Sequence, residues 1–154
     1  MMSYDSKSDT LEHIKSVNTK LLSFAQAILI RASSHDTTKL LSPEKELFDK
    51  YTPLLKTMEY GSDEYKQSLE NLKPALRHHY ENNSHHPEFY NNGIDGMTLM
   101  DIVEMYCDWM AATERTSGGD INKSIEINKD RFNMSSQLVS IFKNTIREFN
   151  GTVK

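Results

Sequence analysis

The feature that most constrains the fold is a helical repeat of apolar residues that nothing else in the chain competes with. Leu11, Ile14, Val17, Leu21, Ala25, Ile28 and Leu29 recur at spacings of three and four, the period that gathers side chains on one helical face. Apolar–polar alternation of the kind a half-buried strand needs is not sustained anywhere. The four prolines and six glycines sit between periodic segments. These patterns predict an all-α, single-domain helical bundle over residues 9–150, preceded by a flexible lead-in over 1–8.

The punctuation divides the bundle. Asp9 and Glu12 have capping-box spacing, so the first helix is expected from near Asp9 to about Ala32, with Ser33-Ser34 breaking it before His35-Asp36. Ser42-Pro43 has the form of a cap followed by proline at the first helical position, and Pro53 is expected to open another short piece. Gly61-Ser62 reads as a turn and cap for a helix carrying Tyr65, Leu69 and Leu72, which Pro74 should kink or restart before Leu76, His78 and His79. Residues 82–96 are loop-like and Asn-rich, a length that inside a compact domain usually carries function. Thr98 and Asp101 can cap a helix running to about Thr116. Its Leu99, Ile102, Val103, Tyr106, Trp109 and Met110 make it the expected central helix, with Cys107 among its core residues. Gly118-Gly119 ends it, and two more helices are expected near 121–132 and 136–149.

Composition narrows the class. A chain of 154 residues can bury a proper core without staples. The net charge of -4 comes with no basic tract, which argues against general nucleic-acid binding. The longest apolar run, Ala25 to Ile30, is too short to span a bilayer, and Met1 to Asp9 lacks the apolar core of a signal peptide. Cys107 is the single cysteine, so no intramolecular disulfide forms; this suits a cytoplasmic location. The oligomeric state stays open between monomer and homodimer.

The chemistry lies in the six histidines. His13 stands alone on the first amphipathic segment, His35 precedes Asp36, and His78-His79 and His85-His86 fall close together. Divalent metals need several neutral imidazoles and carboxylates at once. A His-Asp dipeptide after a helix break can present both side chains to one ion or to two neighbouring ions. Asp108 lies on the central helix, where a buried carboxylate must be paired or coordinate a cation. Asp101, seven residues earlier on the same face, reads as an outer acceptor for a ligand histidine or, better, as a cap. His79 follows Leu72 and Leu76 on one face, which favours it over His78 for an inward position. Lys39, three residues after Asp36, can hold a substrate phosphate or stand in solvent. Ser124, Asn128 and Arg131 share a face that could line a pocket but reads more simply as solvated.

The order His13, His35-Asp36, His78/His79, His85/His86, Asp108 resembles the HD-domain superfamily of metal-dependent phosphohydrolases. The stretches His35 to Leu40, Pro74 to Tyr80, His85 to Glu88 and Asp101 to Trp109 look still more like a small uncharacterised HD-like family of bacteria and phages, over about Leu11 to Thr145. The resemblance implies a helical bundle around one or two metals. It puts His13, His35, Asp36 and Asp108 in the roles of primary ligands and the later histidines at a second metal. Where the small nucleotidase members carry a glutamate three residues after the HD aspartate, this chain has Lys39. That is similar to the cyclic-dinucleotide phosphodiesterase and di-iron oxygenase branches, although the Gly-Tyr-Pro signature of the former is absent.

The expected function is hydrolysis of a nucleotide or other small phosphorylated substrate by a metal-activated water. The expected metal set is His13, His35, Asp36, His79, His85 and Asp108, with His78 and His86 as alternates, holding one or two ions of Mn, Fe, Co, Zn or Mg. Lys39 is expected to be catalytic and to bind substrate, with Arg77 and Arg115 beside it, and Glu88 to shuttle protons from the loop. A di-iron oxygenase on the same ligands and a non-catalytic, metal-stabilised binding module are the alternatives.

Overall fold

The computed structural model describes residues 5–59, 62–115 and 118–152; among them the regular structure is helical and no strand occurs. The all-α expectation holds. The chain divides into two compact units, residues 1–35 and 36–154. No helix among the described residues is long and apolar enough to cross a membrane.

The first unit is one helix, α1 (Lys7–Ser34). It starts after Ser6 with no side-chain cap, and Asp9 lies in its first turn. Asp9 therefore complements the helix dipole instead of forming the expected capping box. The Ser33 hydroxyl donates back to the Ile30 carbonyl at 2.7 Å, competing with the helical ladder as serines do, and the helix stops one residue later.

The second unit opens on Asp36, whose φ of 56° is left-handed. Asp and Asn tolerate this region better than other residues with a Cβ. It turns the chain into a single 3-10 turn, Thr37–Leu40. Helix α2 (Glu44–Thr57) begins one residue later than Ser42-Pro43 suggests: Pro43 is itself the cap position, and no side chain caps the helix. Pro53 lies inside α2 instead of opening a new piece, and Pro74 lies inside α3 (Asp63–Asn82), which does not restart there. Each proline removes one ladder donor, but α2 and α3 pack along one another and both persist. The Ser62 hydroxyl caps α3 by accepting from the Tyr65 N–H at 3.1 Å; Gly61 lies outside the described residues.

Helices α4 (Leu99–Glu114), α5 (Ile121–Arg131) and α6 (Ser136–Thr152) form the other half of this unit. Their buried core is Met105, Tyr106, Ile125, Met134, Val139 and Phe142. Tyr106 stacks on Phe142 at 4.7 Å between ring centroids, and its hydroxyl donates to the Phe142 carbonyl at 3.0 Å. This is how a buried tyrosine satisfies its polar end. The α4 face differs from the expectation at two positions: Leu99 is 60% exposed, and Cys107 is an exposed free thiol. Met105 and Tyr106 occupy the inward arc, and Cys107, one residue further round, leaves it.

Between α3 and α4 the chain makes two short 3-10 turns, Pro87–Phe89 and Gly93–Gly96. Asp101 ties this loop to α4. Its buried carboxylate accepts from Ser84 Oγ at 2.7 Å, Tyr90 Oη at 2.8 Å and the Thr98 N–H at 2.8 Å, and it completes a capping box with Thr98. Burial opposes ionisation, but these donors hold the carboxyl below its ordinary range. Asp101→Ala removes the cap and leaves buried donors unmatched, so we expect a loss of about 2–4 kcal/mol in urea unfolding. An unchanged urea midpoint would refute that role.

Candidate metal centre

Four side chains converge where the 3-10 turn after Asp36, the end of α3 and the following loop meet. One ligand atom from each of Asp36, His79, His85 and His86 lies within 4.8 Å of all the others. His79 Nε2 stands 3.1 Å from Asp36 Oδ1, His85 Nε2 3.4 Å from the same oxygen, and His86 Nε2 2.9 Å from His79 Nε2. Ligands held at ~2.0–2.2 Å from one ion are separated by roughly 2.9–3.5 Å along the edges of an octahedron or tetrahedron. The three separations fall in that interval. The donor set, three imidazoles and one carboxylate, suits Zn, Co, Mn or Fe.

Local structure explains the convergence. His79 is three and seven residues after Leu76 and Leu72, on the α3 face that packs inward, and is 1% exposed; adjacent His78 is 38% exposed at its side chain. His85 is buried and His86 half-buried in the loop anchored through Ser84 to Asp101. The left-handed backbone of Asp36 carries its carboxylate to the same point.

The electrostatics suit coordination. Burial would raise the Asp36 carboxyl, but His79, His85 and Lys39 beside it hold it far below the ordinary carboxylate range. Burial, then the neighbouring His85 and His79, holds His86 down to about 3, so it is neutral at pH 7, as a ligand imidazole must be. Lys39 Nζ lies 2.6 Å from Asp36 Oδ2. It occupies the oxygen that the cluster does not use.

Two carboxylates stand behind the histidines. His79 Nδ1 is 3.0 Å from Glu44 Oε2, and His85 Nδ1 is 3.2 Å from Glu104 Oε1. Each imidazole thus has a carboxylate at one nitrogen and the cluster at the other, the arrangement that orients metal-bound histidines. Sequence reasoning missed both. Glu104 carried a signal: Asp101, Glu104 and Asp108 are spaced three and four apart on one face of α4. There Asp101 anchors the loop, Glu104 meets His85, and Asp108 comes within 4.8 Å of Asp36. Glu44 gave no signal, because an acid in the first turn of a helix is ordinary.

The other expected site residues divide between the two units. His13 is exposed on α1 and His35 follows its last residue; both belong to the first unit. His78 turns to Glu44, with Nδ1 at 2.7 Å from Oε1. Glu88, expected as a proton shuttle, is engaged by Arg131 Nη2 at 2.6 Å. That pair borders a cleft of about 330 Å³ with Tyr90, Ile94 and Phe132, so Arg131 has a partner and is not merely solvated. Arg77 is exposed on α3, and Arg115 is exposed at the end of α4.

A family model described as a family of unknown function, DUF5662, matches residues 2–148. No curated protein matches the chain, and no solved structure does.

Proposed function

The chain belongs to the DUF5662 family, and we propose that it is a metal-dependent phosphohydrolase of a cytoplasmic compartment. Its centre is Asp36, His79, His85 and His86, and its substrate is a nucleotide or another small phosphorylated molecule. The observation that carries the metal is the convergence of three imidazole nitrogens and one carboxylate oxygen within 4.8 Å of one another, with separations of 3.1, 3.4 and 2.9 Å linking the four. The resemblance to HD phosphohydrolases supplies the reaction class.

A divalent cation there would supply Lewis acidity toward a phosphoryl oxygen and a water of lowered pKa. The chain's own residues do the rest. Lys39 neutralises Asp36 Oδ2 and carries its positive charge to the edge of the centre, 5.7 Å from the Phe48 ring centroid, where it can meet a phosphate oxygen. Asp108 adds negative charge beside Asp36 and favours retention of a cation. His86 is the least restrained ligand: its Nε2 meets His79, and its Nδ1 forms no hydrogen bond among the described residues.

A second reading rests on the same geometry. Four protein ligands close a tetrahedral ion, and closed four-ligand sites are structural. An ion that takes six ligands keeps two positions for water and substrate. Metal identity therefore separates catalysis from a structural centre. We expect untagged protein loaded with Mn or Co to hydrolyse p-nitrophenyl phosphate or its bis-ester. His79→Ala should abolish turnover and His78→Ala should retain it. Turnover that persists in His79→Ala would sink the proposal. Loss of fold on chelation, with no turnover under any metal, would establish the structural reading instead.

A further inference from the structure

We propose that Glu44 is the positioning residue of this centre, holding His79 with its ring proton on Nδ1 and its Nε2 presented to the ion, and drawing His78 out of the ligand set. The inference rests on the metal-centre reading above and assigns a residue that reading does not require.

Glu44 is 0% exposed, and a buried carboxylate must be met by donors. Three groups reach it. His78 Nδ1 lies 2.7 Å from Oε1, and His79 Nδ1 and Thr38 Oγ1 each lie 3.0 Å from Oε2. The neighbouring amide bears on the direction of these bonds. Asn83 Nδ2 lies 2.8 Å from the His79 carbonyl, 2.9 Å from Thr38 Oγ1 and 3.0 Å from His79 Nδ1. The carbonyl can only accept, so Nδ2 is the NH2 end of the amide, and its two protons go to the carbonyl and Thr38 Oγ1 when His79 Nδ1 carries a proton of its own. Thr38, accepting from Asn83, turns its own proton toward Glu44.

The ring of His79 then has one consistent state when a cation is bound. The ion needs the Nε2 lone pair, which faces Asp36 Oδ1 and His86 Nε2. The single ring proton is left for Nδ1, where Glu44 Oε2 accepts it. A bare Nδ1 could accept from Asn83 Nδ2 at 3.0 Å or Thr38 Oγ1 at 3.1 Å, but it would set its lone pair against a carboxylate oxygen at 3.0 Å. The same carboxylate holds His78 by its Nδ1, and of the two adjacent histidines it is the buried His79 whose Nε2 reaches the cluster.

The test is chelator-competition affinity for Co(II) in wild type, Glu44→Gln and His78→Ala, paired with imidazole ¹⁵N–¹H correlation spectra of the Zn-loaded wild type. In Glu44→Gln the amide NH2 replaces an acceptor oxygen and faces an imidazole N–H. Affinity should fall roughly 10–100-fold, the usual effect of removing a partner behind a ligand histidine. His78→Ala should bind as wild type does. The spectra should place the His79 proton on Nδ1. Equal affinity in wild type and Glu44→Gln would overturn the role of Glu44 and leave the metal centre standing. Absence of Co(II) and Zn(II) binding in wild type would overturn both. Should Glu44→Gln fail to fold, the wild-type spectra decide: a proton on Nε2, with Nδ1 coordinated, refutes the assignment.

Discussion

Asp36→Asn is expected to yield a folded helical protein that retains no metal and has lost metal-dependent hydrolysis. Asparagine occupies the left-handed region about as readily as aspartate, so the turn into Thr37–Leu40 persists. What disappears is the charge that His79, His85 and Lys39 all address. An amide oxygen is a weaker ligand, and its NH2 points donors at a cationic centre. We expect metal affinity to drop by roughly 100-fold or more, since removing a ligand costs at least as much as removing its outer partner. Asp36→Ala should be worse, because alanine at a φ of 56° adds about 1–2 kcal/mol of backbone strain. Competition with a chromophoric chelator, alongside circular dichroism, measures both effects. Undiminished affinity in Asp36→Asn would remove this carboxylate from the centre.

The second large effect is on stability. At a metal concentration 100 times Kd, binding to the folded state alone adds about 2.7 kcal/mol. For a domain of this size that raises Tm by about 10 °C. In the metal-free protein, pH acts through His86. Its folded-state pKa of about 3 lies below the ordinary ~6.5. Between those values the unfolded chain binds a proton that the folded chain refuses, so stability falls as pH falls through that window. The loss at pH 5 should be on the order of 1–2 kcal/mol. Asp36 and Asp101 are both held below the ordinary range. Their contributions are therefore present above ~4 and lost as pH falls further. Urea midpoints of chelator-treated protein at pH 7.5 and pH 5 test the sign. Equal midpoints would show that His86 is not held neutral by its surroundings.

How much of this was legible depended on whether the signal was periodic. The 3.6-residue repeat specified α1, α5 and α6 to within a few residues, and the Thr98–Asp101 spacing gave the cap of α4. Proline misled at 53, where packing of α2 on α3 outweighs one lost hydrogen bond; at 43 the helix starts one residue later than expected, and at 74 α3 continues without a restart. In the centre, the Leu72–Leu76–His79 face separated His79 from His78, since burial follows helical phase. The choice between His85 and His86 was beyond any periodic argument. Both approach Asp36 and His79 from an irregular loop whose path is set by Ser84, Tyr90 and Asp101. Glu44 was the least legible, because its importance lies in two histidines more than thirty residues away.

The most direct measurement is elemental mass spectrometry of untagged protein, as purified and after reconstitution with Mn, Fe, Co or Zn, with His79→Ala as control. The account predicts one equivalent of metal per chain at this centre, lost in His79→Ala and accompanied by the rise in Tm. No bound metal under any of these conditions, with Tm unchanged by each added ion, would contradict it.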